Sequence, residues 1–300
     1  MRALEPDESG TVRGTYWERF GDGDPTILFV PPWAIIHSLA WKLQVPYLAR
    51  HFRVVTFDPR GNGRSERPQD PAAYAETEYA RDALDVMDAS GTSAAIVVTL
   101  SMGAQRSLLL ADAHPDRVSG LVCIAPSVAL VPEHPARQRI ADQFPQELES
   151  HEGWAKYNGP YWHRDYRGFL EFFFAQAFTE PHSTKQIEDC VDWGLETDPA
   201  TLIATVQGAE LDEATVRDIA ARISCPVLVI HGVDDAIRPF AAGQELARIT
   251  GGELISMPGV GHCPQARKPV AVNLALREFV ETVARQRADH HREEAVHGYG

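Results

Sequence analysis

Five short runs rich in β-branched residues set the architecture of this 300-residue chain. They are Thr26-Ile27-Leu28-Phe29-Val30, Phe52-Arg53-Val54-Val55-Thr56-Phe57, Ala95-Ile96-Val97-Val98-Thr99-Leu100, Gly120-Leu121-Val122-Cys123-Ile124 and Val227-Leu228-Val229-Ile230. Most are continuously apolar and lack the strict alternation of a half-exposed strand. Strands buried on both faces have this pattern, as in a parallel sheet covered by helices. Helix-like stretches lie between them, including Tyr79 to Ser90 and Met102 to His114. That alternation predicts a mostly parallel central α/β sheet flanked by helices. Gly14 to Gly21 reads as a further strand at the sheet's edge, and Glu253 to Met257 as a late one.

The rhythm breaks between Ser127 and Cys225, where no comparable strand occurs. A strand-to-strand connection through one helix needs only a dozen or so residues, so most of this stretch is an insertion. Its aromatics, few β-branched runs and helix-like spacing predict a small helical subdomain at 128–221, a cap or lid placed after the sixth strand. The remaining core is then 1–127 plus 222–288. Most of the cap aromatics should form its own core, while some line a substrate pocket. Trp154, Tyr161, Trp162, Phe173 and Trp193 are the candidates for the pocket. Polarity rises and periodicity fades after Ala284, so 289–300 is expected to be a flexible tail. The pair His290-His291 lacks companions at metal-ligand spacing, and no metal site is expected.

Charge narrows the partners. Lys and Arg total 28 against 42 Asp and Glu, a net charge of −14. No basic excess exists to displace counterions from a nucleic acid or to bind an anionic membrane. A spanning helix needs ~20 apolar residues, and the longest apolar stretches are about half that. The opening MRALEPDESG is acidic and lacks the apolar segment of a secretory signal. Four cysteines without a C-x-x-C pair make neither a disulfide scaffold nor a zinc ribbon. The expectation is a cytoplasmic protein that acts on a small molecule, and the sequence leaves a homo-oligomer open.

Three places can carry chemistry. Thr99-Leu100-Ser101-Met102-Gly103 follows a buried strand and leads into a helical run. A serine at such a turn is exposed beside a helix N-terminus, where backbone N–H groups favour developing negative charge. The alternative is a helix-capping serine without a chemical role. His231-Gly232-Val233-Asp234-Asp235-Ala236-Ile237-Arg238-Pro239 sets two aspartates beyond the C-terminal end of a strand, the edge where α/β sheets place their sites. His262 lies in a glycine-rich loop after the late strand. His231 reads as structural, Cys263 as a weak rival nucleophile, and Arg238 as a salt-bridged loop residue that could otherwise meet a substrate carboxylate.

These motifs together resemble the α/β-hydrolase superfamily, in its serine-nucleophile, capped form. The family's nucleophile elbow is G-x-S-x-G, followed in chain order by an acid and a histidine. Here that order is Ser101, Asp235, His262. Asp58-Pro59-Arg60-Gly61-Asn62-Gly63-Arg64-Ser65 matches the family's D-x-R-G-x-G-x-S loop, and His231 to Pro239 matches H-G-x-x-D-x-x-x-P, which selects Asp235 over Asp234. Gly259 to His262 matches G-x-G-H. Two departures stand out: Thr99 replaces the first elbow glycine, and Pro31-Pro32-Trp33 replaces the usual H-G after the corresponding strand. The prolines have no N–H to donate. The resemblance implies an oxyanion hole from the backbone N–H groups of Trp33 and Met102, no cofactor, and hydrolysis of a small-to-medium, largely apolar carboxylic ester, lactone or thioester through an acyl-enzyme on Ser101. Other expectations on the same triad are carbon–carbon bond hydrolysis, a perhydrolase activity, or a slow-turnover ligand receptor. Aspartate at the elbow would mark an epoxide hydrolase or dehalogenase, and this chain has serine.

Overall fold

A computed structural model describes residues 4–135, 137 and 142–297, those from 290 onward by backbone alone. Eight strands form one sheet: β1 Glu8–Val12, β2 Thr15–Phe20, β3 Thr26–Val30, β4 Arg53–Phe57, β5 Ala95–Leu100, β6 Val118–Ile124, β7 Val227–Gly232 and β8 Glu253–Met257. Their order is β1-β2-β4-β3-β5-β6-β7-β8. β2 pairs antiparallel with both β1 and β4 and so runs against the rest. All pairings from β4 through β8 are parallel.

The continuous apolar runs follow from helices on both faces. Successive side chains of a strand point to opposite faces. Ile27, Phe29, Ile96, Val98, Val122 and Ile124 accordingly join one cluster, and Leu28, Val30, Val97, Leu121 and Cys123 join the other. The short α1 Val45–Leu48 packs in the first cluster, and the second is covered by α2 Glu76–Ala89, α3 Gly103–Ala113 and later helices. Every residue of β3, β5 and β7 is buried. Each fully buried Val, Leu or Ile contributes about 1.5–3 kcal/mol of transfer free energy, which fixes the register of these central strands.

Between β6 and β7 lie α4 Gly159–Arg164, α5 Tyr166–Ala177, α6 Thr184–Gly194, α7 Pro199–Gln207 and α8 Glu213–Arg222. Asn158, Asp165, Asp198 and Asp212 cap four of them by accepting a backbone N–H three residues on. The last of these helices spans the expected boundary at 221. Val216, Ile219 and Ala220 of α8 pack in the core cluster beside α3 and α9 Phe240–Thr250, so α8 covers the sheet.

Two expectations change. The sheet's edge is β1, whose sequence ESGTV is polar because much of it is exposed; the 14–21 strand lies one position inward. After the short α10 Pro264–Arg267, the final helix α11 runs from Pro269 to His297. The helix thus continues through most of the stretch expected to be an irregular tail. Ala, Arg and Glu in that stretch are strong helix formers even without an apolar stripe. The side chains of His290 and His291, and all of 298–300, lie outside the described residues. No helix among the described residues is long and apolar enough to cross a membrane.

Candidate active site

At the C-terminal end of β5 the chain turns sharply into α3. Ser101 holds φ at +54°, a left-handed conformation that costs a non-glycine residue roughly 1–3 kcal/mol. The turn is held from both sides: Ser101 N donates to Ile124 O at 3.0 Å, and Ser101 O accepts from Ala104 N and Ser127 N, each at 3.0 Å. The N-cap position falls on Met102, and Ser101 is not the capping residue. Gly103 permits the tight crossing, because a Cβ there would sit 2.9 Å from Pro31 O. Gly103→Ala is expected to lower stability by roughly 1–3 kcal/mol through overpacking and to displace the 31–34 loop. Thermal melts and a crystal structure of that variant check it.

Asp235 and His262 meet across a second close approach. A Cβ on Gly232 would lie 2.2 Å from the carbonyls of both Val260 and Gly261, so glycine lets the β7 turn touch the histidine loop. Asp235 is buried there and Asp234 is exposed. Asp235 Oδ2 accepts from His262 Nδ1 at 2.7 Å and from His231 Nε2 at 3.0 Å. Its Oδ1 accepts from Ile237 N at 2.8 Å and Arg238 N at 2.9 Å. Burial pushes this carboxyl up, but the charge of His262 and the hydrogen bonds from His231 and His262 outweigh it and hold it well below the usual carboxylate range. His231, read as structural, is a second partner of the acid. Its position at the end of β7, four residues before Asp235, was the available signal. The histidine loop is tied to the segment between β6 and β7: His262 N donates to Ala177 O at 2.9 Å, and Gly261 N to Glu180 Oε1 at 3.0 Å.

The D-x-R-G-x-G-x-S loop braces the segment after β3. Arg60 makes a buried, two-pronged pair with Asp82, and Asn62 Nδ2 donates to Ala34 O at 2.9 Å. Ser65 Oγ donates to Asp58 O at 2.8 Å, closing the loop on itself. Thr99, at the departure from the elbow glycine, is fully buried in β5 between β3 and β6.

Ser101, Met102, Trp33 and His262 border one cavity of about 130 Å³. Ile35, Ile36, Phe173, Phe174, Ala177 and Ile237 supply apolar wall, and Glu133, Arg137, Glu210 and Arg238 make part of it charged. An adjoining cavity of about 290 Å³ shares Glu133, Arg137, Tyr157, Val206 and Glu210 and adds Phe144 and Trp154. Arg238 pairs with Glu133, and burial lowers its guanidinium to about 10. Cys263 also borders the first cavity, but burial raises its thiol well above the ordinary value and keeps it protonated.

Only some of the expected aromatics reach these cavities. Phe173 faces the one with Ser101, and Trp154 faces its neighbour. Trp162 does not line either: it is fully buried, stacks on Phe169 with centroids 4.3 Å apart, and donates Nε1–H to Lys156 O. Tyr161 turns instead to His151 and hydrogen-bonds Asp165. Trp193 packs against His37 under the Lys42 ammonium. Tyr157 and Phe174, unmarked by any sequence motif, take their place. Nothing in the sequence separates these aromatics, because helix spacing alone does not tell which face meets the sheet.

A family model described as "alpha/beta hydrolase fold" matches residues 25–269. A protein of Caulobacter sp. (strain K31), provisionally named carbamate hydrolase RutD, is 28% identical over 277 residues, covering 91% of this chain and 98% of that protein. The crystal structure of an enol-lactonase from Burkholderia xenovorans LB400 superposes with a TM-score of 0.74 at 23% identity, covering 91% of this chain and all of that one. A thermophilic esterase from Thermogutta terrifontis gives 0.72 at 25% identity, covering 90% and 93%.

Proposed function

The chain belongs to the alpha/beta-hydrolase family, and from that premise we propose that it is a serine hydrolase of small carboxylic esters or lactones, working through an acyl-enzyme on Ser101. The observation that carries this reading is the 2.7 Å contact of Asp235 with His262, whose ring borders the same cavity as Ser101. With Nδ1 engaged by the carboxylate, Nε2 is the nitrogen that takes the serine proton. A serine hydroxyl is a weak nucleophile until such a base accepts that proton. Attack on the ester carbonyl then forms a tetrahedral oxyanion, which the N–H groups of Trp33 and Met102 stabilise. Asp235 steadies the imidazolium without becoming protonated. Collapse expels the alcohol, which takes the proton from His262, and water repeats the sequence to release the acid.

The inserted helices act in this reading as a cap, since Phe173, Phe174 and Ala177 of α5 wall the cavity and Ala177 holds the histidine loop. The limited space beside Ser101 favours short acyl groups. Rates across p-nitrophenyl acetate, butyrate, octanoate and dodecanoate are expected to peak at the short end and fall ~10-fold or more by dodecanoate, given that each misfit methylene costs about 1–3 kcal/mol. The name of the Caulobacter relative makes an aryl carbamate the second substrate to include. The reading is tested by intact-mass analysis after a fluorophosphonate: one adduct at Ser101 supports it. No adduct and no ester turnover sinks it.

A further inference from the structure

We propose that Arg106 is a positioning residue for the oxyanion hole, aiming the Trp33 N–H through the carbonyl of Pro32. The inference rests on the serine-hydrolase reading and adds a residue to it. Arg106 lies on α3, one turn beyond the elbow, and is almost wholly buried. Its Nη1 donates to Pro32 O at 2.9 Å. That carbonyl and the Trp33 N–H belong to one peptide unit. The Asp24–Pro25 bond is the cis peptide among the described residues, so the Pro32–Trp33 unit is trans. In a planar trans peptide the C=O and N–H point in opposite directions. Gripping the oxygen from α3 therefore fixes the direction of the N–H on the far side of the C–N bond.

The grip is itself held rigid. Nε and Nη2 of Arg106 donate to the Glu76 carboxylate at 3.2–3.3 Å, and the guanidinium lies 3.6 Å from the Tyr79 ring centroid. Glu76 and Tyr79 both come from α2, so one arginine joins α2, α3 and the loop after β3. A charged donor on the carbonyl also polarises the peptide and makes its N–H a stronger donor. Two neighbouring features point the same way. Pro31 and Pro32 offer no N–H of their own to anchor this segment, and Asn62 holds Ala34 O on the other side of Trp33. Met102, the partner donor, sits at the head of the helix that carries Arg106. Both donors are thus referenced to one element.

A buried ion pair that merely joins two helices would also look like this in part, so the test separates the two roles. Removing one charge of a buried pair strands the other, whereas replacing both with apolar residues is often neutral for folding. The variants are Arg106→Met, Arg106→Lys and the double variant Arg106→Met with Glu76→Met. For the double variant kcat with p-nitrophenyl butyrate is expected to fall roughly 10–100-fold, less than the ~10²–10³ for a deleted oxyanion donor, with KM within about threefold. Affinity for an aryl trifluoromethyl ketone, which forms a tetrahedral oxyanion on the serine, falls in parallel, and affinity for the matching methyl ketone does not. Arg106→Lys recovers part of the loss. The proposal is overturned if the folded double variant keeps kcat within twofold of the wild type, or if both ketones weaken equally. A wild type that neither turns over the ester nor binds the trifluoromethyl ketone defeats the underlying reading and this proposal with it, an outcome distinct from the other two.

Discussion

Ester turnover is expected to fall by ~10⁴-fold or more when Ser101 is replaced by alanine, with fluorophosphonate labelling lost altogether. The remaining rate would come from the oxyanion donors and binding alone. The fold offers no competing explanation for such a loss. Ser101 is not the N-cap of α3, so the variant forfeits no helix cap, and alanine accepts the same φ of +54° no worse than serine. A melting temperature within a few degrees of the wild type, beside a collapsed kcat, is the expected pair of results. Retained turnover in Ser101→Ala would place the nucleophile elsewhere.

Asp235→Asn should lower kcat by ~10³–10⁴-fold while leaving KM nearly unchanged. Oδ1 of the new amide can still accept from Ile237 N and Arg238 N, but its NH2 then faces His262 Nδ1 and His231 Nε2. His262 must accept there and carry its proton on Nε2, the wrong tautomer for taking one from serine. Asp234→Asn, at the exposed neighbour, should stay within about twofold, since surface changes of this kind rarely exceed ±0.5 kcal/mol. Stability carries a second signature of the same carboxylate. Its folded-state pKa is depressed below the ordinary 3.8, so its contribution is complete above that value and drains away as pH falls toward the folded pKa. Melting curves from pH 6 down to pH 3 should show the wild type losing an increment below pH ~4 that Asp235→Asn lacks. Parallel curves would mean that the buried cluster does not favour the ionised form.

What the sequence revealed and what it withheld divide along physical lines. Strands β3 to β7 were legible because burial on both faces leaves no room for polar residues, and the elbow, acid turn and histidine loop were legible because close backbone approaches demand glycine at Gly103, Gly232 and Gly261. β1 was not, because an edge strand open to solvent carries no apolar signature. The run of α11 past Ala284 was missed for a similar reason: helix propensity without a buried stripe leaves no period to detect. Trp162, Tyr161 and Phe173 look alike in sequence, and only the packing of α4 and α5 on Trp33 separates core from cavity. Likewise His231 gained its partner, and α8 its place in the core, from contacts across the fold.

The left-handed backbone at Ser101 has an energetic corollary. Glycine is the residue that conformation prefers, so replacing the serine by glycine relieves backbone strain. Loss of the hydroxyl at this position is therefore energetically downhill, and the resulting chain would fold at least as well as its parent. The hydroxyl at this position is thus held against a backbone preference that favours its loss, while the cavity beside it does not depend on it for folding.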